Sequence, residues 1–281
     1  MYAFDKINHG SLLGHALLIS LTPLIPIPFL DDWVKSSFQR RMLRQTAAAR
    51  GVNLSNEEVE VLIQEDFWIS CVGSCVQAPL YLLREVLSKI FFIIEIRRAV
   101  DLFSKTYYTG FLFDAALLNE YPLPSADGST TSAIKLREAI RRARYGANFK
   151  LINSLFRENL RPLELLKAAW SVMRQAVGGF PKMVAALPGA AWRGLRGTPE
   201  AVARGLKSIP ARVRENFFLR VQVLLGREKA PELKALERMI QSMQAALLQM
   251  DSRHFDELVV SLQNEIRSAE AAQLASIEVK G

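Results

Sequence analysis

The sequence predicts an all-α protein: a multi-helix bundle that carries a proline- and glycine-punctuated basic segment and closes with a C-terminal helical hairpin. Three observations lead there. Periodic stretches of the 281 residues repeat at helical spacing, and no run alternates apolar and polar residues between turn signals as a half-buried strand would. Half of the residues are apolar, enough for one large core or two smaller ones. Helix-start and helix-stop residues recur at the ends of the periodic stretches. The expected division is an N-terminal helical domain over 1–150, an amphipathic basic segment over 151–228 and the hairpin over 229–281.

The first helix is expected from Ser11 to Leu21, where the run Pro23, Pro26, Pro28 stops it. Asp31 or Asp32 then caps a second helix that reaches Arg50, and Gly51 ends it. Pro26 and Pro28 hold the chain extended ahead of that cap. Ser55 with Glu58 forms a capping box for a third helix. An uncharged stretch from Trp68 leads into a long helix through Ile90, Ile94 and Phe103 to Leu118. Tyr121–Ser132, with its prolines and Asp127-Gly128, is a loop, followed by a basic helix from Ala133 to Arg144. A further amphipathic helix runs from Phe149 through Trp170, on the stripe of Leu163 and Leu166, to Val177. Beyond Pro231, Leu236, Ile240, Met243, Leu247 and Met250 step by four and three. Asp251 and Ser252 supply a break and a cap, and Phe255, Val259, Leu262, Ile266 and Ala269 repeat the stepping as the second arm of the hairpin.

Two stretches carry no Asp, Glu, Lys or Arg: Gly10–Leu30 and Phe67–Leu83. Their lengths raise the question of integral insertion into a bilayer, but the prolines, His15 and Gly73 favour buried core helices. Cys71 and Cys75, with no neighbouring Cys or His, read as small buried residues of a reducing compartment. His9, His15 and His254 show no metal-ligand spacing, and no glycine-rich phosphate loop follows a strand. The reading is therefore non-enzymatic, with no cofactor, no metal and no catalytic residue named.

The charge is uneven. Net charge is +8 overall, and by segment it is +2 over residues 1–160, +8 over 161–220 and −2 over 221–281. Within the basic segment Pro188, Pro199 and Pro210 stand eleven residues apart, opening PGAAWRGLRGT, PEAVARGLKSI and a divergent third unit. Eleven residues make nearly three helical turns, so Arg193 and Arg204, Leu195 and Leu206, and Arg196 and Lys207 fall on matching faces. Arg212, Arg214 and Phe217 belong to the third unit, while Trp192 and Val202 sit among small apolar neighbours of the first two. Basic amphipathic helices this short need a surface to lie on.

Residues 25–51, IPIPFLDDWVKSSFQRRMLRQTAAARG, carry Pro26-Ile27-Pro28-Phe29, an Asp two residues on, then Gln39, Met42 and Gly51 at helical intervals. This pattern resembles bacterial membrane-associated helical domains of unknown function, among them EcsC-like and GTPase-associated families. The resemblance implies a membrane-proximal helical module and no reaction.

The function expected is peripheral association with anionic lipid at the cytoplasmic face of a bacterial inner membrane, through Trp192, Arg193, Leu195, Arg196, Val202, Arg204, Leu206, Lys207, Arg212, Arg214 and Phe217. The alternative is a soluble scaffold or adaptor whose hairpin, over 231–275, binds a second copy or another protein. Nucleic-acid binding by the same cations is the weaker third reading.

Overall fold

The computed structural model describes residues 4–22, 30–64, 84–124, 129–159 and 231–278, and among them all regular structure is helical, without strands. Residues 1–160 and 239–281 form one compact unit and 161–238 a second. The sequence division at 229 sets the last helices apart from the N-terminal half; from Met239 onward they belong to the same unit as that half.

A 3-10 turn over Phe4–Lys6 precedes α1, His9–Ser20, whose N-cap Asn8 accepts from the Ser11 backbone N–H. Leu12, Leu13, Ala16, Leu17 and Ile19 are all buried, so α1 is apolar around most of its circumference, as a helix inside a core must be. It packs on α2, Leu30–Ala49, and above all on α4, Arg84–Leu118. Of the uncharged run 10–30, most residues from Leu12 to Thr22 are buried in this core; 23–29 and the run 67–83, with both cysteines, lie outside the described residues. Among the described residues no helix is long and apolar enough to cross a membrane.

The ends of α2 separate two kinds of signal. Asp31 and Asp32 follow Leu30 inside the helix instead of preceding it, so neither is the N-cap expected of them. Acids are favoured throughout a first helical turn by its free N–H groups and dipole, and the residue type alone does not distinguish the positions. Pro26 and Pro28 lie outside the described residues. At the other end Gly51, with φ of 74°, lets its N–H reach the Ala48 carbonyl and that of Val52 reach Ala47, a Schellman stop. The expected capping box is present: Ser55 and Glu58 exchange side-chain-to-backbone bonds at the start of α3, Asn56–Ile63.

The second half of α4 is the axis of the unit. From Phe103 to Leu117, Phe103, Tyr107, Tyr108, Phe111, Leu112, Phe113 and Ala115 are fully enclosed by α1, α2, α5 (Thr131–Tyr145), α6 (Phe149–Asn159) and α8 (Arg253–Glu278). Each phenylalanine and leucine among them contributes on the order of 1.5–3 kcal/mol by leaving water. Gly110 marks the tightest crossing, where an added Cβ would stand 2.8 Å from Leu12 Cδ2 and 3.2 Å from Met42 Sδ. α4 ends with Glu120 at φ of 59° in the left-handed position that Gly51 occupies in α2.

α7 spans Pro231–Leu248, and its Gln244 and Ile240 lie over Gly10 and Gly14 of α1. Asp251 caps the start of α8 by accepting from the Arg253 N–H. The stripe Phe255, Leu258, Val259, Leu262 is buried, and α8 packs against α4 and α5. Of the stripe that amphipathic spacing predicts, Phe255, Val259 and Leu262 are buried and Ile266 and Ala269 only half-buried, while Leu258 joins the buried side.

Candidate functional site

The eleven residues picked out for a lipid surface, from Trp192 to Phe217, lie outside the described residues, as does Trp170. Two other chemistry-bearing groups lie within them: the cations of α5 and a cluster of histidines and tyrosines around α4.

α5 holds Lys135, Arg137, Arg141, Arg142 and Arg144 against one acid, Glu138, a denser positive charge than the 161–220 stretch has on average. Its sequence is amphipathic, with Ala133, Leu136, Ala139, Ile140 and Ala143 buried, which aims the polar arc at neighbours and solvent. These cations have partners within the unit. Arg141 donates to Glu138 through Nε (2.8 Å) and Nη2, and Arg142 donates to the same carboxylate at 3.0 Å. Arg142 also faces Glu265 of α8 at 3.5 Å. Arg137 reaches Gln64 Oε1 at 3.0 Å and the Val61 carbonyl at the end of α3. Arg144 donates to the Thr109 hydroxyl at 3.0 Å, and Lys135 is engaged as well. The two arginines hold the Glu138 carboxyl down at about 2, against the usual carboxylate range. This surface is tied into α3, α4 and α8.

The second group is assembled from opposite ends of the chain. His9 opens α1, and its Nε2 lies 2.9 Å from the Phe4 carbonyl. A carbonyl only accepts, so Nε2 carries the proton and Nδ1 accepts from the Tyr107 hydroxyl, also at 2.9 Å. The ring stacks on Phe111 and Tyr107 and lies close to Phe4. Burial pushes the His9 imidazole below its ordinary value, against the pull of the Phe4 carbonyl, Asp114 and Asp5. Burial likewise raises the Tyr107 phenol well above its ordinary value. At neutral pH both groups are uncharged.

Tyr108, the next residue, turns to the other side and donates to the Asn148 carbonyl at 3.0 Å. Its hydroxyl also lies 3.2 Å from Nε2 of His254, in the first turn of α8, and that nitrogen accepts from the Asn148 backbone N–H at 3.3 Å. Phe255 fills the space between the two tyrosines, 6.3 Å from the Tyr107 ring and 6.2 Å from that of Tyr108. Arg50 closes the arrangement below: it forks onto the nearly buried Asp114, at 2.7 and 3.2 Å, and donates to the Lys6 carbonyl at 2.8 Å. Together His9 and Arg50 strap the N-terminal turn to α4.

Chemically this cluster joins helices. It presents hydrogen-bonded neutral imidazoles and phenols, and among the described residues no three His, Cys, Asp or Glu side chains converge as a metal would need. Sequence reading missed it because the partners are 98 and 146 residues apart. The available signal was Tyr107-Tyr108, two hydroxyls inside an otherwise apolar helix that must find partners when buried. No protein-family model, curated protein or solved structure matches the chain.

Proposed function

We propose that the chain is a non-enzymatic helical protein that binds anionic lipid surfaces peripherally through the basic, proline-punctuated repeat at 188–220. The observation that carries this reading is the placement of charge: +8 lies in residues 161–220, while 1–160 carries +2 and 221–281 carries −2. The pairing of the α5 cations within the helical unit supports it, since this basic helix, the densest in cations among the described residues, already has internal partners. Burial of α1 supports a peripheral attachment over an inserted one for that part of the chain. The resemblance of residues 25–51 to membrane-proximal helical modules points the same way.

Binding on this account is additive. Each cation near an anionic surface contributes on the order of 1 kcal/mol, and Trp192, Leu195, Val202, Leu206 and Phe217 add apolar burial at the interface. The test is flotation of the full-length chain with neutral and with anionic vesicles, at low and high salt, beside a chain lacking residues 188–220. Salt-weakened flotation with anionic vesicles that disappears in the deletion supports the reading. A full-length protein that never floats, and instead shifts between monomer and dimer with the presence of 231–275, favours a scaffold.

A further inference from the structure

We propose that His254 is an acid-sensitive latch: as a neutral imidazole it ties the start of α8 to the turn between α5 and α6, and on taking up a proton it lets that end of the helix go. Asn148 offers Nε2 a backbone N–H, a group that can only donate, at 3.3 Å. Nε2 must therefore be unprotonated and the ring proton must sit on Nδ1. A second proton can only go to Nε2, where it would point at the Asn148 N–H, and two donors cannot share that line.

The Tyr108 hydroxyl can accept from a protonated Nε2 while it still donates to the Asn148 carbonyl, so what the proton removes is the acceptor of the Asn148 N–H. One proton thus breaks the bond from the Asn148 N–H, which ties α8 directly to the α5–α6 turn. The new charge would also lie in the first turn of α8, where the helix dipole disfavours cations.

The surrounding groups pull on the imidazole in opposite directions. From α4 comes the phenol of Tyr108, kept neutral by burial. On α8 itself Glu257 pulls toward protonation, with Asp256 in the same turn and Asp251 and Arg253 just before. From the α5–α6 turn Asn148 brings no charge, Lys150 follows it in sequence, and Arg144 is engaged with Thr109. Desolvation outweighs Glu257 and holds His254 below its ordinary value. His9 differs, because the Tyr107 hydroxyl can reverse and accept from a protonated Nδ1 while Nε2–H keeps the Phe4 carbonyl. Of the two histidines in this cluster, only His254 faces a donor that cannot reverse.

The test is amide hydrogen exchange of the full chain between pH 8 and pH 5, corrected for intrinsic rates, for wild type and His254→Gln. Gln keeps a carbonyl acceptor and does not titrate. The expected wild-type result is loss of protection over residues 145–150 and 251–262, by up to about tenfold per pH unit below 6.5, in excess of any loss at the 103–117 core. The Gln variant should show no such excess, whatever its absolute protection. A wild-type response equal at both places, or an excess that persists in the Gln variant, overturns the latch.

Discussion

α5 and the repeat at 188–220 look alike in sequence: both are basic, amphipathic and short of acids. For α5 the structure shows what lies within reach. α5 faces Glu138 on its own next turn, Glu265 on α8, the carbonyl end of α3 and Thr109 of α4, so its donors are occupied. The repeat contributes eight of the chain's excess positive charges together with the rest of 161–220, and only Glu200 and Glu215 lie within 188–220 to offset them. A count of cations is therefore not a measure of available charge; the sequence-distant partners decide it.

The largest test of that contrast is Phe255→Ala. The side chain is fully enclosed against Phe4, Phe111 and both tyrosines, and it anchors the helix that brings Glu265 to Arg142. Denaturant unfolding should show a loss of about 3–5 kcal/mol. A loss below about 1 kcal/mol would mean that α8 is not held this way.

Acid should act next. His9 and His15 are pushed below their ordinary 6.5 chiefly by burial, His15 also by Arg41, and the more exposed His254 is lowered in the same direction. Groups lowered in the folded state leave the unfolded chain holding more protons below pH 6.5, so stability falls as pH drops through that window and is kept above it. The slope should reach up to about 1.4 kcal/mol per pH unit for each well-buried histidine. Glu138 adds nothing there: with its carboxyl held near 2 against an ordinary 4.5, its contribution is present above pH 4.5 and is lost only in stronger acid. Denaturation midpoints measured from pH 8 to pH 5 check both statements.

A smaller, opposite change is expected from Glu120→Gly. The residue is exposed and holds φ of 59°, which costs a non-glycine residue about 1 kcal/mol. Unfolding should show a gain of that order. The smallest effect on stability, and the sharpest for the comparison, is Glu138→Gln: exposed pairs contribute little to folding, but the change removes an acid that Arg141 and Arg142 share, while Arg142 keeps Glu265. Anionic-vesicle binding should rise, by up to about fivefold, as the net charge of α5 rises by one unit.

What was legible in the sequence follows from the range of each cause. Gly51, Ser55 with Glu58, and the stripe from Phe255 to Leu262 act within one or two turns, and each does in the structure what its spacing implies. Asp31 and Asp32 stand at the second and third helical positions, past the cap, because the whole first turn favours acids. The uncharged run of α1 was ambiguous because core and bilayer select the same residues; its enclosure by α2 and α4 is a tertiary fact. The histidine–tyrosine ties and the pairing of α5 depend on residues far apart in the chain, and no local pattern encodes them.

The most direct test of the central claim sets two full-length variants side by side on anionic vesicles at low salt: Arg193, Arg196, Arg204 and Lys207 all changed to Gln, and Arg141 and Arg142 changed to Gln. The account predicts that the first variant loses most of its binding while the second keeps it. Binding retained by the repeat variant and lost with the α5 pair would contradict it.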